Sequence, residues 1–196
     1  MSKESDAINL THHFLIAMPS LVDEVFGRSV VYLCDHSERG AMGLMVNKPS
    51  DISMADLFAK VELPLERADL AKQPVLHGGP VQTERGFVLH DALGTEEDTA
   101  YAGTLRIPGS GLEMTTSRDV LEALSVGAGP KRLLVTLGYA SWGQGQLESE
   151  LAENSWLTVP ASATVLFETP IERRYDEALA LLGLQAWMIS PEAGRA

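Results

Sequence analysis

Two stretches hold the residue types best suited to chemistry. The first is His77-Gly78-Gly79. A glycine pair beside a histidine resembles the oxyanion loop of some esterases, where bare backbone lets amides point at a developing negative charge. The second is Gly138-Tyr139-Ala140-Ser141-Trp142-Gly143-Gln144-Gly145-Gln146-Leu147-Glu148. Its glycines permit close backbone approach and φ > 0. Trp142 offers a stacking platform, and Gln146 and Glu148 offer polar side chains beside the glycines. His77, Gly78, Gly79, Trp142, Gln146 and Glu148 are therefore the candidate ligand-binding residues. Each also has a plainer reading. The glycine pair suits a tight turn, and a tryptophan among small neighbours fills the gap they leave.

No catalytic residue is assignable. Ser141 sits one position out of register for a GxSxG elbow. No GxxxxGK[ST] loop occurs, and Gly143-Gln144-Gly145 lacks the third glycine of a dinucleotide fingerprint. With Gly145 as a helix N-cap, Glu148 falls near N3, where a carboxylate complements the helix dipole. It would repel a phosphate, so the loop suits a cation or a hydrogen-bond donor. The five histidines, His12, His13, His36, His77 and His90, show no HxxxH, HExxH or finger spacing. No metal and no cofactor are expected. The leading expectation is a non-catalytic binding or regulatory protein acting through a small molecule or a protein partner. The alternative is an enzyme acting on a small polar metabolite, with His77, the Gly78-Gly79 amides and Glu148 at one pocket. In a third, purely structural reading, these glycines and tryptophans serve folding alone.

The surrounding pattern says what must position these residues. β-rich runs fall at residues 13–18, 28–34 and 41–46, the last two joined by the polar turn 35–40. Asn47-Lys48-Pro49-Ser50 reads as a closing turn. Ser53 is a candidate N-cap for a helix carrying Leu57, Phe58 and Val61 on one face. Residues 65–72 fit either a helical turn or a loop. Further strands are expected at 74–77, 86–90, 101–107 and 112–116, with an exposed acidic loop at 91–99. Ser117 reads as the cap of a helix ending at Gly127. Residues 131–137 read as a buried strand running into the glycine-rich loop, and residues 146–153 as a helix. A last strand is expected at 164–167. Thr169-Pro170-Ile171-Glu172 then matches a capping box opening a helix to Leu182. Hairpin-spaced strands before a few strand–helix alternations indicate an α+β fold with a mixed, mostly antiparallel sheet. No repeat or linker divides the chain, so one domain over residues 1–196 is expected, with an ordered core at about 9–189.

Charge narrows the partners. With 15 basic and 27 acidic residues the chain carries −12, a field that repels phosphate backbones, so direct nucleic-acid binding is disfavoured. The basic residues cluster only as the pairs Lys131-Arg132 and Arg173-Arg174. Hydrophobic residues make up 45%, ordinary for a globular protein. A lone cysteine, Cys34, rules out an intrachain disulfide and fits a reducing compartment. Neither a secretory signal nor a window of roughly 18 to 20 apolar residues is seen, so the expectation is cytoplasmic, without membrane contact. Oligomeric state is open.

Several motifs together resemble the AlgH (YqgE) family of bacterial proteins. They are His13-Phe14-Leu15-Ile16-Ala17-Met18-Pro19, Gly40-Ala41-Met42-Gly43-Leu44, Asn47-Lys48-Pro49, Gly78-Gly79-Pro80-Val81, Arg85-Gly86-Phe87-Val88-Leu89-His90, and Gly138 through Glu148. Asn154 and Trp156 complete the set, which spans residues 9–183. One mild departure is Asp35 before His36, where the family often has glutamate. The resemblance implies a bifurcated sheet bent into a pseudo-barrel and flanked by helices. It also carries a family label of regulation in alginate production, sometimes given as transcriptional. It supplies no catalytic residues.

Overall fold

In the computed structural model the described residues are 8–95 and 97–190. Ten strands form one curled sheet in the order β12-β1-β2-β3-β11-β6-β10-β9, with β4 and β5 branching off it. These are β1 (His13–Ala17), β2 (Val30–Ser37), β3 (Gly40–Met45), β4 (Pro49–Ser53), β5 (Pro74–His77), β6 (Val81–Asp91), β9 (Thr104–Ile107), β10 (Leu112–Thr115), β11 (Leu133–Trp142) and β12 (Trp156–Pro160). A two-residue-per-strand hairpin, β7 (Gly94–Thr95) with β8 (Asp98–Thr99), stands apart in the acidic segment. All pairings are antiparallel except that of β5 with β11. The fold is α+β, a mostly antiparallel half-barrel with helices on its faces.

The sheet forks at β11. Its first half pairs with β6 on one side and, through Thr136 and Leu137, with β5 on the other. Its second half, Ala140 to Trp142, pairs with β3 instead. The register shifts between Leu137 and Tyr139, where Gly138 has φ 77°. Residues 138–142, read above as loop, thus continue the strand through a bulge, which bends a strand and re-aims it. Gly78 sits in the crotch, donating to Leu137 O at 2.8 Å and accepting from Met45 N at 2.8 Å.

Apolar runs such as Phe14-Leu15-Ile16-Ala17 are buried on both sheet faces. Their alternate residues accordingly join different cores. Phe14, Ile16, Tyr32, Leu44, Leu89 and Leu179 share the concave core, closed by α5 (Ala163–Phe167) and α6 (Arg174–Ala180). On the other face, Leu15, Val31 and Leu33 pack with Trp142, Trp156 and Leu147 beneath α4 (Gln146–Ala152). A third core joins Val88, Leu133 and Val135 to Phe58 of α1 (Met54–Lys60), Leu70 of α2 (Ala68–Ala71) and Leu124 of α3 (Asp119–Ser125).

Local chemistry explains the matches and the differences. Ser53 caps α1 in a full capping box: its Oγ accepts from Asp56 N, and the Asp56 carboxylate accepts from Ser53 N. β2 runs on through the supposed turn to Ser37, leaving Glu38-Arg39 as a two-residue hairpin loop. Residues 49–53 form a strand because β5 supplies a partner. Ser117 bonds to Ala102 O and to Asp119, and Arg118 occupies the N-cap of α3. The expected strand at 164–167 is the helix α5. Its β-branched run is overridden by Ser162, whose Oγ accepts from Val165 N at the N-cap. The last strand of the sheet is instead β12, eight residues earlier. The capping-box motif at 169–172 opens with Pro170 as the cap of a 3-10 turn, Ile171–Arg173, that leads into α6.

Candidate functional site

The glycine-rich candidates take up positions inside the framework. A Cβ on Gly78 would lie 2.3 Å from Gly138 O, and one on Gly79 would lie 2.1 Å from the carbonyl carbon of Tyr139. Gly78 and Gly79 are buried, and their backbone is pressed against β11. Trp142 is 4% exposed. It packs against Phe26 and Trp156 at ring-centroid distances of 6.1 and 6.0 Å. Gln146 turns back to accept from Gly143 N at 3.0 Å, closing the turn before α4.

Glu148 is bonded to His36, not to His77: Oε1 lies 2.7 Å from His36 Nε2. The other ring nitrogen settles the tautomer. His36 Nδ1 accepts from Leu10 N at 2.9 Å, so the proton sits on Nε2 and points at the carboxylate. The buried imidazole thereby ties the segment before β1 to α4, and this bond, with a backbone amide, holds the Glu148 carboxyl below its usual range. Two residues on, Glu150 behaves oppositely. Burial raises its pKa, although the indole N–H groups of Trp142 and Trp156 face it. Glu150 Oε2 and Trp156 Nε1 fall short of hydrogen-bond geometry and stay unpaired.

The histidines go separate ways. His12 Nδ1 meets the Tyr32 hydroxyl, and His90 is fully buried between Asp91 O and Thr115 Oγ1. Among the described residues no group of three or more His, Cys, Asp or Glu is placed to hold a metal ion. Cys34 is buried, and burial raises its thiol pKa well above the ordinary value.

A different place offers space and cations without an ion pair among the described residues. Between the start of β11, β5 and the α5–α6 connection lies a cleft of about 340 Å³, within the range of small-molecule sites. Leu76, Leu133, Leu166 and Ile171 contribute apolar wall, and Lys131, Arg132 and Arg174 bring positive charge. Arg132 is engaged with Asp91 at 2.7 Å and lies over the Phe167 ring. The carboxylates at the cleft are Asp69, paired with Arg67 at 2.8 Å, and the exposed Glu168.

Arg174 is the unusual group. It is only 8% exposed, yet it makes no ion pair among the described residues. Nη1 donates to Val46 O at 2.6 Å and Nε to Thr169 O at 3.0 Å, while Nη2 makes no hydrogen bond among the described residues. Burial lowers its pKa to about 10, which still leaves it charged at neutral pH. A buried cation ordinarily has an anionic partner. The signal in the sequence was the isolation of two basic pairs in an acidic chain; the fold brings one member of the second pair to both members of the first.

A forked half-barrel with this pattern of glycines and helices defines a recognisable protein class. The AlgH-like family model matches residues 14–187, and the chain belongs to that family. Its relatives include UPF0301 proteins of Delftia acidovorans, 69% identical over 200 residues, and of Polaromonas sp., 65% identical over 196 residues, each match covering 100% of both chains. The solution structure of the AlgH protein from Pseudomonas aeruginosa superposes with a TM-score of 0.76 at 44% identity, over 100% of both chains. The crystal structure of a Corynebacterium diphtheriae protein shares the fold, with a TM-score of 0.67 at 20% identity, covering 88% of this chain and 87% of that one. Among the described residues no helix is long and apolar enough to cross a membrane.

Proposed function

We propose that this protein is a non-catalytic cytoplasmic binding protein that exerts a regulatory effect through a small molecule held in the cleft at Arg174. The observation that carries the reading is a buried guanidinium with an uncommitted Nη2 on the wall of a cavity of metabolite size. Binding rather than catalysis is favoured because the lining residues include no Ser, Cys or His, the Thr169 hydroxyl is committed to Thr164 O, and Asp69 is held by Arg67. Regulation through direct contact with nucleic acid is disfavoured by the charge of −12.

Native mass spectrometry of the protein, isolated gently from its host, tests this. The expected result is a reproducible extra mass of metabolite size. It should vanish in Gln73→Trp, which places a bulky ring at the exposed side of the cleft. An adduct retained in Gln73→Trp would place the ligand elsewhere and overturn the assignment. A co-purifying protein with no small adduct would favour a protein partner instead.

A further inference from the structure

Resting on the cleft as the binding site, we infer that its ligand is an anion: a small organic carboxylate or phosphate whose charged head meets Arg174 Nη2 and Lys131 while its apolar body lies on Leu76, Leu133 and Ile171. Two observations converge. Arg174 is held rigidly by two backbone carbonyls, Val46 O and Thr169 O, so its remaining donors are pre-aimed rather than free to swing. Those carbonyls orient the guanidinium but do not neutralise it, and charge-assisted bonds to an anion are roughly twice as strong as neutral ones. Lys131 lines the same cleft and its ammonium makes no hydrogen bond or ion pair among the described residues.

The opposing charges are accounted for. Asp69 is held by Arg67, and Arg132 by Asp91, so each pair is internally balanced. Glu172 acts on Arg174 only through space, and Glu168 is exposed at the cleft. Within the lining, Lys131 and Arg174 thus stand against Glu168 alone as unpaired charges, a positive excess of the wall itself on a strongly negative protein, with Glu172 outside the lining. That contrast selects a compact anion and rejects a polyanion, which would meet the surrounding negative field.

The test uses the full chain, labelled with nitrogen-15, and three probes of one shape: benzoate, phenyl phosphate and the uncharged benzyl alcohol. Backbone amide shifts are followed at constant ionic strength to about 10 mM, the range where fragments of this size bind. The expected result is saturable shifts at residues 133–135 and 171–174 with at least one anion and none with the alcohol. Preference between the two anions names the head group. Lys131→Gln should weaken binding about threefold and Arg174→Lys about tenfold, since lysine lacks the planar fork. If Arg174→Lys does not fold, Lys131→Gln carries the test alone. Equal shifts from benzyl alcohol would overturn the anion assignment while leaving the cleft as a binding site. Anion shifts confined to other amides, or none at all, would also overturn it. A co-purifying mass that Gln73→Trp abolishes, beside anions that fail to bind, removes this inference and leaves the broader reading standing.

Discussion

The sheet fork and the Arg174 cleft lie at opposite extremes of the same economy of polar groups. At the fork, backbone meets backbone so closely that no side-chain atom fits, and Gly78 bonds to both neighbouring strands. At the cleft, a largely buried cation keeps donors that no protein group accepts from among the described residues. The glycine-rich stretches that look most like a ligand loop in sequence serve as joinery in three dimensions. The group with unspent hydrogen-bonding capacity lies where the sequence shows only a basic pair. A region rich in special residues is therefore not the same as a region with unmet chemistry, and burial with incomplete pairing is the better guide to a site.

The sharpest way to break this contrast is at Gly79. Its φ is +155°, and an added Cβ would fall 2.1 to 2.4 Å from backbone atoms of Tyr139 and Ala140. Neither strand can retreat without opening the fork. Gly79→Ala is expected to cost more than about 4 kcal/mol or to prevent folding, as strain at a special backbone position does. Gly86→Ala is the control on β6: nothing lies within 4 Å of its added Cβ. It should be neutral or stabilising by about 0.5 kcal/mol, because alanine loses less chain entropy. Urea unfolding of the two variants measures both. A Gly79→Ala protein as stable as the Gly86→Ala protein would mean the fork does not depend on bare backbone.

Trp142 comes next. Its indole packs in a three-ring cluster with Phe26 and Trp156. Trp142→Ala should cost about 3 to 5 kcal/mol, the usual penalty for truncating a buried aromatic. A loss below about 1 kcal/mol, read from the same urea midpoints, would return Trp142 to the list of surface platforms.

These two positions also show how far the sequence was readable. Strand and helix types were legible wherever local chemistry and partner agreed, as at Ser53, whose capping box is complete in the fold. Gly138 was misread as loop because a bulge inside a strand and a glycine between elements look alike without the neighbouring strands. Residues 164–167 read as strand in sequence because their β-branched side chains outweigh a single serine cap two residues upstream. Glu148 was legible as a site of polar interaction, but its partner His36 lies 112 residues away and depends wholly on strand order. The cleft was legible least of all. Lys131 and Arg174 are distant in sequence, and only the packing of α5 and α6 on the sheet brings them to one wall.

Glu148 and Glu150 permit a finer test, because acid acts on them with opposite signs. Glu148 is held below its unfolded pKa by His36, so its contribution is complete above about pH 4.5 and is lost as pH falls through the lower folded value. The side chain is 45% exposed, so solvent screening keeps the effect to about 1 kcal/mol or less. Glu150 is raised by burial, so its charge opposes folding at neutral pH and that penalty fades as pH falls through its raised value. Glu148→Ala should therefore flatten the acid limb of a stability–pH curve and lower stability at pH 7, while Glu150→Gln should raise stability at pH 7. Curves of the same shape for both variants would contradict the two-signed arrangement along α4.

The smallest expected effect on stability is the most informative about function. Lys131 is exposed and its ammonium has no partner among the described residues, so Lys131→Gln should shift the unfolding free energy by no more than about 0.5 kcal/mol. A side chain that matters only to folding would then be expected to have no other phenotype. If the cleft takes an anion, the same silent substitution should reduce the thermal stabilisation given by phenyl phosphate or benzoate, because binding to the folded state alone raises stability in proportion to affinity. The decisive quantity is the difference between the ligand-induced shifts of the two proteins, with the ligand-free transitions coincident. Equal shifts in wild type and variant would assign Lys131 to the solvated surface and overturn the inference that the anion's head meets both Lys131 and Arg174.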